Sequence, residues 1–184
     1  MTWQKFEYFL NAVLYCLWLK QNKSQEFMQN AVSALLSWIS RHLFSSAYSA
    51  KFDDYKAANL KIWDEYRNNP NGGWDFIIAH NLFDFLFACY PGLLSFVLAA
   101  IVIRYYDDFN LIVVIAFILP VMLAFILVDR AIFKKDRYLR YFHIFEKKDN
   151  AWHRKWSRIT TMFCIGAIVM FVISIAAMCA VLFR

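Results

Sequence analysis

Residues 137–143 read RYLRYFH, which leaves five residues between Arg137 and His143. A histidine moves protons near neutral pH, and an arginine stabilises developing negative charge. Together they suit acid–base chemistry on an anionic substrate. A second pair, His80 and Asp84, lies in the stretch WDFIIAHNLFDF. Its i, i+4 spacing puts both side chains on one helix face. That pair reads either as a proton-linked or ion-coordinating site near a membrane, or as a hydrogen-bonded pair that satisfies a partly buried helix. The second reading is the better supported, because two ligands rarely hold a metal. No metal site and no cofactor are expected. The four cysteines, Cys16, Cys89, Cys164 and Cys179, form no C-x-x-C pair and read as buried small residues. G-x-S-x-G, Walker and H-E-x-x-H patterns are absent from the sequence.

The elements that must position these residues are dominated by apolar runs. The chain has 184 residues, of which 61% are hydrophobic, against roughly 45–50% in a soluble domain. Residues 85–103, 111–128 and 161–183 carry no charge and approach the roughly 20 residues needed to cross a hydrocarbon core. Pro91 and Pro120 fall inside the first two runs, where membrane helices tolerate them if neighbours satisfy the freed backbone. Ser95 and Ala99, and Ala176 and Ala180, have the small-xxx-small spacing that permits close helix approach. The predicted fold is all-α: an integral membrane protein with about three transmembrane helices and a helical N-terminal cytoplasmic region.

Loop charge sets the expected direction. Residues 129–158 hold ten lysines and arginines against four acids, whereas RYYDDFN, between the first two runs, holds one arginine and two aspartates. The positive-inside rule therefore puts the basic loop in the cytoplasm, with residues 1–84 on the same side and Arg184 on the other. The expected organisation is a helical cytoplasmic or interfacial region over 1–84, a transmembrane hairpin over 85–128, a basic-aromatic cytoplasmic loop over 129–160 and a last span over 161–184. The N-terminal stretch lacks an A-x-A cleavage pattern and reads as retained.

Within the first region, Trp3, Phe6, Leu10, Val13, Leu14 and Leu17 follow helical spacing, with Gln4, Lys5, Glu7 and Asn11 opposite. This predicts an interfacial or packed helix. QNKSQE then reads as a polar link, and Ser24 as the N-cap of a second helix with Met28, Ala31, Val32, Leu35, Trp38 and Ile39 on its apolar face. Asp53 is expected to cap a third helix that ends before NNPNGG.

The basic loop is expected to continue the second span as a helix and to re-enter as the third. Ile132, Leu139, Phe142 and Phe145 can share one side. Lys134, Lys135, Arg140, Lys147, Lys148, Arg154 and Lys155 supply charge, with Trp152 and Trp156 just before the last span. Aromatics among basics suit single-stranded RNA. They equally suit lipid headgroups, which are the simpler partner for a loop beside a bilayer.

The Arg137–His143 spacing resembles the motif of HEPN ribonucleases, although Tyr138 stands where a polar residue is usual. That resemblance implies a dimeric site in which His143 moves a proton as an RNA 2′-hydroxyl attacks and Arg137 stabilises the phosphate. In chain size, spans and this motif, the protein loosely resembles the Csx-type accessory membrane proteins of type VI-B CRISPR loci. The likeness implies a homo-oligomeric pore or membrane-perturbing effector of the bacterial inner membrane, acting in antiviral defence. Its implied partners are the lipid bilayer, further copies of the chain, and an RNA-guided RNA-cutting nuclease or its RNA products. The alternatives are a non-enzymatic membrane adaptor or immunity protein and, after it, a membrane-tethered HEPN-like ribonuclease.

Overall fold

Among the described residues, three helices are long and apolar enough to cross a membrane, and they follow from the three uncharged runs. A computed structural model describes residues 2–43, 73–106 and 111–182. Every regular element among them is an α-helix: α1 (Trp3–Leu43), α2 (Trp74–Tyr106), α3 (Leu111–Ile132), α4 (Arg137–Glu146) and α5 (Asn150–Leu182). The chain divides into two compact units, one formed by Met1–Cys16 with Asn81–Arg184 and the other by Leu17–His80.

In the first unit, α2, α3 and α5 form an up–down–up bundle whose register is set by aromatic contacts. Phe87 meets Phe125 and Phe96 meets Phe117, so α2 and α3 run antiparallel. Tyr90 meets Phe163, Phe96 meets Phe171, and Arg104 donates to the Val181 carbonyl at 3.2 Å, so α2 and α5 run parallel. Arg104 thereby places a cation on the C-terminal carbonyls of α5, which carry partial negative charge. Ser95 and Ala99 are buried in the bundle, whereas Ala176 and Ala180 face outward. Large apolar side chains such as Leu111, Leu123, Met162, Ile168 and Val172 also face outward, as lipid-facing residues must. Both prolines sit inside continuous helices.

α2 and α5 approach closely at Tyr90 and Gly166. The Tyr90 hydroxyl donates to the Phe163 carbonyl at 2.7 Å, and a Cβ on Gly166 would stand 2.8 Å from that oxygen. Gly166 is thus the gap that lets the phenol reach the backbone.

At the other end, the first turns of α1 pack into the mouth of the bundle. Residues 10–16 are all buried, which requires neighbours on every side of a helix. Tyr15 meets Phe142, Phe145 and Trp152; Tyr8 meets Tyr141, Phe145 and Trp156; Phe9 meets Trp156 and Phe163. Asn11 was expected on the polar face. It is instead fully buried, and its amide donates to the Glu7 carbonyl at 2.8 Å and to the Ala131 carbonyl at 3.1 Å. The Ala131 carbonyl lies in the last turn of α3, where no intrahelical N–H is left to bind it.

Two expected breaks in the chain are differently placed. QNKSQE is no link: α1 passes through it without interruption, and Ser24 lies inside the helix. The stretch has no Gly or Pro, and Gln, Lys and Glu are good helix formers. The basic loop is not a simple continuation either. Lys135 and Asp136 both take left-handed backbone angles, φ 61° and 52°, and this ends α3 and starts a separate α4. The last helix begins at Asn150, because Asp149 accepts a hydrogen bond from the Trp152 N–H at 3.1 Å. Trp152 and Trp156 therefore belong to α5. The helix expected after Asp53, and all of NNPNGG but its last glycine, lie outside the described residues.

In the second unit, Asp75 is fully buried, and the Asn22 amide, turned to satisfy both its atoms, donates to it at 3.1 Å and to the Trp18 carbonyl at 3.3 Å. His80 stacks on Phe76, one helix turn away.

The Tyr90–Gly166 fit predicts a coupled pair. Tyr90→Phe should cost about 0.5–1.5 kcal/mol, the net worth of one hydrogen bond. Gly166→Ala should destabilise the protein with Tyr90 present and have little effect with Phe in its place, since the next ring atom is 3.8 Å away. A double-mutant cycle of unfolding in mixed micelles measures this coupling; two simply additive effects would contradict the fit.

Candidate functional site

The polar groups of the first unit gather where α1 meets α4. α4 is strongly amphipathic: Phe142 and Phe145 are buried against α1, and Arg140, His143 and Glu146 face outward. This places Arg137, its first residue, beside the second turn of α1. The Arg137 guanidinium donates to Glu7 Oε2 at 2.7 Å, across 130 positions of sequence. Both side chains are mostly buried, with 26% and 13% of their surface exposed. Tyr141 lies one turn along α4 and lines the same groove as Glu7. Burial first, then the nearby Glu7 carboxylate, pushes the Tyr141 phenol above its ordinary range. Nearby, the Trp152 indole N–H donates to the Tyr8 hydroxyl at 2.9 Å. Burial, followed by the charges of Glu146 and Cys16, pushes the Tyr15 phenol up to about 12, so it stays neutral where most tyrosines ionise.

A groove of about 720 Å³ opens beside this cluster. Trp3, Gln4, Glu7 and Tyr8 of α1 form one wall; Arg137, Arg140, Tyr141 and Ile144 of α4, with Lys135 before it, form the other. Three cations and one carboxylate line it, so it carries net positive charge.

The sequence-predicted residues divide as follows. Arg137 is held by Glu7, whereas His143 is turned to solvent, 81% exposed, with Nδ1 at 3.7 Å from Glu146. The two side chains thus have different partners, one in the α1 contact and one on the open face. Lys134, Lys135, Arg140, Lys147, Lys148, Arg154 and Lys155 are all exposed. Of these, Lys135 and Arg140 line the groove. His80 and Asp84 are both half-buried on α2, but His80 belongs to the second unit and Asp84 to the first. No group of three or more metal-ligating side chains occurs among the described residues.

Glu7, Tyr8 and Tyr141 are the site residues that sequence reasoning missed. Glu7 was placed on a solvated face, and nothing local marks it as the partner of an arginine 130 positions away. Only the aromatic density of both segments hinted that they would meet.

This geometry predicts unequal effects of alanine at the two motif positions. Arg137→Ala leaves the Glu7 carboxylate partly buried without its cation and should cost about 1.5–3 kcal/mol. His143→Ala should leave the unfolding midpoint unchanged, because its ring is in solvent. Thermal unfolding of the detergent-solubilised variants reads the difference. Equal midpoints would show that the Glu7 pair does not hold α4 in place.

No family model, no curated protein and no solved structure matches this chain.

Proposed function

We propose that the chain is a multi-pass protein of a bacterial inner membrane that works by binding rather than by catalysis, with its basic face in the cytoplasm. The observation that carries this reading is the bond from Arg137 to Glu7. It commits the arginine to holding α1 against α4, while His143 faces away toward Glu146. What remains accessible is charge: Lys134, Arg140, Lys147, Lys148, Arg154 and Lys155 are exposed on one end of a bundle whose described spans turn large apolar side chains outward. Such a rim favours an anionic partner. The same charge bias supports the cytoplasmic orientation of this end. Alkaline phosphatase fused after Arg184 should then be active and a fluorescent protein at that position dark. The reverse pattern would overturn the orientation.

A second reading, a homo-oligomeric membrane-perturbing effector of CRISPR-associated antiviral defence, draws on the family resemblance and on one further feature. In the second unit, Met28, Val32 and Leu35 of α1 are each more than half exposed. Their spacing is that of an apolar seam between helices. Protein in mild detergent should have the mass of an oligomer, and Val32→Glu with Leu35→Glu should reduce it to a monomer. A monomeric parent protein would overturn this reading in favour of an adaptor.

A further inference from the structure

The groove between α1 and α4 has a composition that matches one kind of ligand. Its position follows from its walls. The same turns of α1 that form one wall also present Phe6, Phe9 and Leu10 to Phe87, Tyr90, Met162 and Phe163 of the spans, around an apolar cleft of about 440 Å³. The opposite wall begins at Lys135, three residues after Ile132, the last residue of α3. The groove is therefore level with the first turns of the spans, where lipid headgroups lie. This placement rests on the membrane-spanning reading above.

Its charge is arranged for an anion. Glu7 offsets Arg137, which leaves Lys135 and Arg140 as exposed cations on the groove, with no ion pair among the described residues. Between them α4 begins, and its N-cap residue, Asp136, makes no side-chain cap bond. The first N–H groups of a helix attract phosphate. Trp3, 44% exposed, and the rings of Tyr8 and Tyr141 complete the rim. Amphipathic aromatics of this kind settle at headgroup depth.

We propose that this groove binds the phosphate of an anionic phospholipid, with Lys135 and Arg140 as its direct contacts and the Glu7–Arg137 pair as the element that ties its two walls together. Two exposed cations beside the compensated Glu7–Arg137 pair leave the groove net positive, which attracts a singly charged phosphodiester. Apolar span surface beside it receives the acyl chains. A free phosphate would use the same cations but not that surface.

The full-length protein in a neutral detergent provides the test. Phosphatidylglycerol, phosphatidylcholine, inorganic phosphate and a short oligouridylate are added in turn, and native mass spectrometry counts retained molecules. Phosphatidylglycerol should be retained at least tenfold better than phosphatidylcholine. Lys135→Gln with Arg140→Gln should lower its retention at least tenfold with the near-ultraviolet circular dichroism unchanged. Arg154→Gln with Lys155→Gln, which lie off the groove, should leave retention as it was. Equal losses in the two double variants would show diffuse attraction to the basic rim and overturn the groove as the site. Unchanged retention in the first variant, equal retention of both lipids, or none at all would overturn it too. Displacement by inorganic phosphate at the lipid's concentration would make it a free-anion site. Displacement by the oligouridylate would assign it to RNA. Any of these failures with the C-terminal fusion still active would reject the lipid groove alone and leave the membrane topology standing.

Discussion

The carboxylate of Glu7 accepts from Arg137 at 2.7 Å, and the arrangement of one whole end of the membrane bundle depends on that pair. α4 is only 10 residues long, too short to be stable as a helix by itself. It exists because Phe142 and Phe145 are buried against α1 and because its first residue is bound to α1. The bond is formed where little water screens it, so removing one partner costs more than breaking a surface ion pair. It also fixes which way α4 faces, and this puts Arg140 and Lys135 on the groove and His143 in solvent.

The aromatic cluster supplies the rest of the cohesion at this end. Tyr8, Tyr15, Phe145, Trp152 and Trp156 meet as edge-to-face, tilted and stacked pairs, with Tyr8 edge to face on Phe145 and Trp156 and Phe145 stacked on Trp152. Two buried donors of the cluster find acceptors within this unit, whereas Asn11 Oδ1 is buried without a donor among the described residues. The Trp152 N–H finds the Tyr8 hydroxyl, and the Asn11 amide finds a carbonyl left open at the end of α3. An apolar residue at position 11 would fill the space but leave that carbonyl without its donor. The polar residues among these hydrophobes thus set the depth at which α1 docks.

At the opposite end a single cation does similar work. Arg104 ends α2 and reaches the last carbonyls of α5, so the two parallel spans are tied at both ends, by Arg104 here and by Tyr90 nearer the mouth. α3 is held to α2 by ring packing at Phe87–Phe125 and Phe96–Phe117, and Asn11 of α1 donates to its Ala131 carbonyl.

Much of this was legible in the amino-acid order. Three uncharged runs determined three helices, because unpaired backbone in hydrocarbon costs too much for any other local structure. The inward side of the basic segment, Ile132, Phe142 and Phe145, followed from periodicity, as did the helical character of α1. The unbroken helix through QNKSQE is also written locally, since nothing in that polar tract breaks a helix. Two things were decided only by tertiary structure. Asn11 went inside because a distant carbonyl needed a donor. Arg137 became a structural residue because Glu7, 130 positions away, was brought to it by packing. Hydrophobic burial is a property of single residues and is written locally. The partner of a charge is a property of the fold, and no spacing along the chain encodes it.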